Sequence, residues 1–177
     1  SSDRDQNAEG LDRVQGIHDF IYEKETFIIP TNDRNFTKFV SIQPRFYQAA
    51  LFMTAAGSNY NCMPCKSALA AYEEMAFHYN SQYDFLITPM EHRMAFFVVD
   101  VDKARQAFKD MDLETVPRVF VLPAVSTDDG TYFNVKKNAK EMNTHALLDT
   151  MSVLLKELEN VSGVKVEPKV SPFPAVF

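Results

Sequence analysis

Two cysteines occur in the 177 residues, Cys62 and Cys65, within Asn61-Cys62-Met63-Pro64-Cys65-Lys66. An apolar stretch, Ala49-Ala50-Leu51-Phe52-Met53-Thr54, runs up to them, and a helical pattern follows. A Cys-x-x-Cys where a strand gives way to a helix is a dithiol redox arrangement. Unpaired N–H groups and the macrodipole at the helix start favour a thiolate on the first cysteine, and a thiolate is the species that attacks disulfides. Three blander uses compete with this one. A structural staple across so short a loop contributes about 2 kcal/mol by loop-closure entropy, against roughly 4.7 kcal/mol for a 100-residue loop. A structural zinc site needs four ligands, and neither a second cysteine pair nor a close histidine pair exists. The third use is a buried, unreactive pair.

The rest of the chain alternates between two periods. Leu11, Val14, Ile17 or His18, and Ile21 recur at helical spacing and predict a helix over about 9–24, with His18 in its packed stripe. Phe27-Ile28-Ile29-Pro30 reads as a strand closed by Pro30. Thr31, Asn32 and Asp33 offer caps for a helix over about 33–42 that ends before Pro44. A strand from Phe46 to Thr54 follows. A helix then runs from Cys62 to about Tyr79, with Cys65, Ala68, Leu69, Tyr72, Met75, Ala76 and Tyr79 on its stripe, Pro64 in its first turn, and His78 with Glu73 and Glu74 on a solvated face. Ser81 to Arg93 reads as an irregular connection.

Met94 to Asp100 lacks polar alternation, as a strand covered on both faces does. Asp102 is positioned to cap a short helix carrying Ala104, Ala107, Phe108 and Met111. A strand starts after Pro117, a turn is expected at Asp128-Asp129-Gly130, and an edge strand over Thr131-Tyr132-Phe133-Asn134. Lys136 to Glu141 reads as a polar loop. Leu147, Leu148, Met151, Leu154, Leu155 and Leu158 predict a last helix capped by Asn143 or Thr144 and stopped by Gly163. The expected divisions are a polar start with its helix over 1–24, an α/β domain over 25–163 and an extended tail over 164–177. The order β-α-β-α-β-α-β-β-α behind an N-terminal helix predicts an α/β fold, a mixed sheet with helices on both faces. The cysteines fall at the carboxyl end of a central strand, where such sheets place their sites.

Composition narrows the partners. Net charge is −6 and no basic cluster exceeds a few residues, which argues against nucleic acid. No apolar run reaches the length of a membrane span. Asn35-Phe36-Thr37 and Asn160-Val161-Ser162 fit the N-glycosylation triplet, so Asn35 and Asn160 are candidate acceptors. Beside a redox pair they point to the secretory pathway.

Cys62-Met63-Pro64-Cys65-Lys66 resembles the thioredoxin Cys-Gly-Pro-Cys-Lys, Val99-Asp100-Val101-Asp102 resembles the strand ending before that fold's next helix, and Val116-Pro117 resembles its cis-proline. Two departures stand out: Asn61 replaces the usual Trp, and Leu51, Phe52 and Met53 occupy the region of a buried acid. Phe52-Met53-Thr54-Ala55, Phe96 to Asp100 and Val116-Pro117-Arg118-Val119-Phe120-Val121 together resemble the lumenal domain of the oxidoreductase subunit of eukaryotic oligosaccharyltransferase.

That resemblance implies a thioredoxin-like domain with no cofactor beyond its Cys62–Cys65 disulfide and no metal. It implies a place in the endoplasmic reticulum lumen, and a parent chain anchored by membrane helices beside other oligosaccharyltransferase subunits. Cys62 would attack and Cys65 resolve. Met63 and Pro64 would shape the site, and Val116 and Pro117 would line a groove for unfolded cysteine-containing polypeptides. Phe52, Met53, Tyr60 and Met63 are candidates for the groove wall. Capture by mixed disulfide would keep nearby sequons open for glycosylation. The alternatives are a general disulfide isomerase or oxidase of the endoplasmic reticulum, and a redox-silent peptide-binding module. A magnesium-transport role, known for relatives, finds only scattered acids here.

Overall fold

A computed structural model describes residues 3–57, 59–126 and 133–169. In chain order the elements are α1 (Asp3–Lys24), β1 (Ile28–Thr31), α2 (Asp33–Phe39), β2 (Gln48–Thr54), α3 (Met63–Gln82), β3 (Met94–Asp100), α4 (Arg105–Asp110), β4 (Arg118–Leu122), α5 (Val135–Asn138) and β5 (Lys140–Glu141). A 3₁₀ turn (Thr144–Leu148) and α6 (Met151–Ser162) close the list. The sheet order is β1-β3-β2-β4-β5. β3 runs parallel to β1 and β2, whereas β4 is antiparallel to β2 and to β5.

All seven residues of β2 are buried, which explains its unbroken apolar sequence. Successive side chains feed two different cores. Ala49, Leu51 and Met53 join Ala95, Phe97 and Val99 beneath α1, α2 and α4, where Val14, Ile17, Phe36, Ala107 and Phe108 pack. Ala50 and Phe52 join Met94 and Phe96 beneath α3 and α6, where Tyr72, Met75, Tyr79, Leu154 and Leu158 pack. The sheet is the middle of three layers, and this mixed sheet with helices on both faces is the predicted α/β class.

α1 begins at Asp3, earlier than its apolar stripe starts. It lies close on the sheet's edge region: a Cβ on Gly10 would sit 2.4 Å from the Phe46 ring, and Arg13 donates to the Pro44 carbonyl at 2.8 Å. His18 is half-buried and stacks on Tyr22 at the surface rather than entering the core. Pro30 stands inside β1, exposed; an edge strand tolerates the missing N–H.

Four readings are corrected. His78 is buried, not on a solvated face: its Nδ1 accepts the Lys169 N–H at 3.0 Å, so the stretch after α6 covers it. The last helix is two pieces. Asn143 caps the 3₁₀ turn, the chain extends at Asp149, and Thr150 caps α6. Leu148 is left exposed, because the break rotates it off the Leu154–Leu158 face. Gly163 does stop α6, at φ +74°. Lys140 and Glu141 form β5 against β4 rather than a loop. Asp102 does not cap α4; Asp33 does so from α2, its carboxylate accepting the Gln106 and Ala107 N–H groups at 3.2 and 3.0 Å. The turn at Asp128–Gly130 and the strand positions Thr131 and Tyr132 lie outside the described residues, while Asn134 caps α5 instead of extending a strand.

Val164 and Val166 are buried in the α3–α6 core. Tyr83 donates to the Lys165 carbonyl at 2.6 Å, and Gln82 accepts the Glu167 N–H at 2.8 Å. These contacts hold the segment along α3, with Val164 and Val166 inward and Lys165 and Glu167 exposed.

Candidate functional site

β2 delivers the chain to the disulfide. After Thr54 it leaves the sheet, turns at Gly57, and passes Asn61 in the left-handed region at φ +46°. Cys62 then takes the N-cap position of α3. Cys62 and Cys65 are joined, with S–S 2.02 Å and Cα–Cα 5.4 Å. Cys62 stands at the N-cap, outside the helical body, and is half-buried, whereas Cys65 in the first turn is buried. Pro64 lies in the first turn, where α-helices leave N–H groups unpaired, so its missing donor removes no bond. Met63 is 69% exposed.

A cleft of about 370 Å³ opens beside the disulfide. Thr54, Ala55, Ala56, Gly57 and Asn61 form one wall, and Cys62, Met63, Cys65, Lys66 and Leu69 the other. Of the expected wall residues, Met63 is there. Phe52 and Met53 are not: both are 0% exposed and fill the two cores, because every residue of β2 is covered. Tyr60 is exposed and turns the other way, its hydroxyl donating to Asp102 Oδ1 at 2.9 Å.

The Val116–Pro117 peptide bond is cis. It heads β4, whose Arg118 pairs with Met53 at the end of β2. Val116 and Pro117, both half-buried, therefore sit at the end of the sheet from which the cysteine loop departs.

No aspartate or glutamate is buried among the described residues. Among the described residues the buried groups able to carry positive charge are Arg45, His78 and Arg93. Leu51, Phe52 and Met53 are themselves fully buried and apolar. The sequence reading missed the two arginines. Arg93 donates to the carbonyls of Phe85 at 2.6 Å, Phe46 at 2.8 Å and Leu86 at 3.1 Å. Arg45 donates to Tyr47, Val40 and Pro123. A faint signal exists for Arg45, which stands beside Phe46 and Tyr47 just ahead of an apolar run; Arg93 follows Glu91 and His92 and offers none.

The two candidate acceptors lie on helices. Asn35 is half-buried in α2; Asn160 is exposed in the last turn of α6. Among the described residues no group of three or more His, Cys, Asp or Glu side chains gathers as a metal site, and no helix is long and apolar enough to cross a membrane.

A CxxC disulfide at the start of the helix following the central strand, with a cis-proline heading the neighbouring antiparallel strand, defines a thioredoxin-like domain. Among solved structures the chain is similar to the first thioredoxin domain of mouse protein disulfide-isomerase A4, with 21% identity, 84% of this chain and 81% of that chain covered, and a TM-score of 0.48. It is also similar to chloroplastic thioredoxin z, with 16% identity, 66% and 80% covered, and a TM-score of 0.43.

More particularly, residues 19–175 match the OST3 / OST6 family, transporter family, and the chain belongs to that family. A curated relative is the dolichyl-diphosphooligosaccharide–protein glycosyltransferase subunit MAGT1 of Xenopus laevis, 25% identical over 114 residues. The match covers 63% of this chain and 32% of that protein, so the chain spans about a third of its relative's length.

Proposed function

We propose that this chain is the thiol–disulfide exchange domain of an oligosaccharyltransferase subunit in the endoplasmic reticulum lumen, and that it holds unfolded cysteine-containing polypeptides by a transient mixed disulfide near the glycosylating enzyme. The observation that carries this reading is the asymmetry of the disulfide, with Cys62 open to the cleft and Cys65 buried beneath it.

A substrate thiolate attacks the accessible Cys62 Sγ. The Cys62–Cys65 bond breaks, and its electron pair leaves on Cys65, placed in the first turn of α3 where helix N–H groups favour negative charge. The product is a mixed disulfide between substrate and Cys62. Two exits follow. Cys65 thiolate attacks Cys62, restores the internal disulfide and frees the substrate thiolate unchanged. Alternatively a second substrate thiolate attacks the substrate sulfur, leaving the substrate oxidised and the domain reduced by two electrons. Met63 and Pro64 shape the approach to Cys62, and Val116 and Pro117, at the head of β4, line the groove for the captured peptide. No aspartate or glutamate is buried among the described residues, and slow release for want of such a proton acceptor suits a holding role. Attachment through membrane helices of a longer chain, and contact with other oligosaccharyltransferase subunits, complete the proposal.

The test is trapping. Reduced Cys65→Ser protein retains Cys62 as nucleophile without a resolving thiol. Mixed with a peptide disulfide, it is expected to accumulate a covalent adduct on Cys62, seen by intact mass spectrometry. Cys62→Ser protein of unchanged circular dichroism forms none. Equal adduct formation by both variants would overturn the assigned roles.

A further inference from the structure

The Val99-Asp100-Val101-Asp102 strand ending contains two acids, and the structure gives each a separate task. Asp100 organises its own turn: its Oδ1 accepts the Asp102 N–H at 3.0 Å, and its carbonyl accepts the N–H groups of Lys103 and Ala104 at 3.0 and 2.9 Å. Asp102 is the natural cap for α4 but is relieved of that work by Asp33, which reaches the Gln106 and Ala107 amides from α2. Its carboxylate instead turns across to the loop that leads from β2 to the disulfide.

Three contacts define what it does there. Tyr60, two residues before Cys62, donates its hydroxyl to Asp102 Oδ1 at 2.9 Å. Asp102 Oδ2 occupies the space over Gly57, where a Cβ would lie 2.6 Å from it. Gly57 and Tyr60 are themselves joined, the Tyr60 N–H donating to the Gly57 carbonyl at 3.1 Å. The base of the same loop is fixed by Val101 N–H donating to the Thr54 carbonyl at 3.0 Å. The other neighbour of Asp102 is Arg105, 3.4 Å away and itself exposed.

We propose that Asp102 is a positioning residue for the exchange site: through Tyr60 and Gly57 it clamps the loop that forms one wall of the cleft, and so sets which thiols reach Cys62 productively. Gly57 and Asn61 line the cleft, and the clamp holds the segment between them. A peptide thiol needs that wall, because its backbone must lie in the cleft while its sulfur meets Cys62. A small free thiol needs no wall. The clamp therefore acts on the ratio of the two rates rather than on thiol chemistry as such. This proposal rests on the exchange reading above but makes a claim of its own about the loop.

Two measurements test it. The first is hydrogen exchange of the oxidised domain, which needs no thiol chemistry. In Asp102→Ala, and in Tyr60→Phe, amides of the 59–61 segment are expected to exchange about fivefold faster, the scale of losing one typical hydrogen bond at an exposed site. The inner strands β2, β3 and β4 keep their protection. Wild-type exchange in both variants would overturn the clamp.

The second is the ratio of rate constants for reduction of the disulfide by a cysteine-containing peptide and by dithiothreitol. That ratio is expected to fall about fivefold in each variant and no further in the double variant, since both remove one contact. Asp102→Asn keeps an acceptor oxygen and is expected to restore most of the ratio. An unchanged ratio, or additive losses, would overturn the assigned role. A domain whose loop responds but whose disulfide resists both thiols would refute the exchange reading and the role at the exchange site, leaving the loop contact alone.

Discussion

Arg45 offers the sharpest test of what holds the frame of this site. It is fully buried, with no carboxylate partner among the described residues. Its guanidinium donates to the carbonyls of Val40, Tyr47 and Pro123 and lies 4.8 Å from the centre of the Phe133 ring. It thereby ties the end of α2, the entry to β2 and the exit of β4. Burial lowers its pKa from 12.5 to about 10, the nearby Tyr47 opposing that only in part. The group thus remains charged at pH 7.

Arg45→Met removes the donors and keeps a side chain of similar length. Three buried carbonyls left unpaired cost about 1–3 kcal/mol each, a midpoint of about 6 kcal/mol. Against this, the variant no longer buries a cation. A lowering to about 10 corresponds to about 3 kcal/mol at 1.36 kcal/mol per pH unit. The net expectation is a loss of about 3 kcal/mol, or roughly 6–12 °C in Tm for a domain of this size. The sign of the burial penalty is fixed. The unfolded chain holds the proton more tightly, so the penalty is constant below about pH 10 and fades only as pH rises toward 12.5.

Urea unfolding followed by far-UV circular dichroism measures the loss, since the chain has no tryptophan to report it. The expected result is a lower midpoint at unchanged slope. A variant within about 0.5 kcal/mol of the parent, or more stable than it, would show that the buried cation costs more than its bonds return, as some buried ion pairs do.

Two other outcomes are expected. Gly163→Ala forces a side chain into the left-handed region at φ +74° with nothing within 4 Å to clash, so the loss is pure backbone strain of about 1 kcal/mol, read from the same urea curves. Tyr60 ionises above the usual tyrosine range, first because its hydroxyl donates to Asp102 and then through burial and the Asp102 charge. Deprotonation destroys that donor, so Asp102→Ala should move one tyrosinate transition to lower pH in an ultraviolet titration; an unmoved curve would contradict the contact.

The sequence by itself placed the cysteine pair at the junction of an apolar strand and a helix. The three-residue cysteine spacing, the proline beside it and the apolar runs of β2 and β3 are local patterns, legible from adjacent residues. Helical stripes placed α3 and the face it buries, because a period near 3.6 is written into adjacent residues. What lay beyond reach joins residues distant in the chain. Asp33 caps α4 from 73 positions away, Tyr60 finds Asp102 across 42, and Arg45 reaches Pro123 across 78. The same limit explains the misplacements. Phe52 and Met53 look like wall residues until β3 and β4 cover β2 on both edges and helices cover both faces. His78 looks solvated until the segment beyond α6 folds over it. Periodicity reports which face of an element is apolar. Only the tertiary structure decides what that face meets, and so which polar side chains are buried and which remain free to shape the cleft beside Cys62.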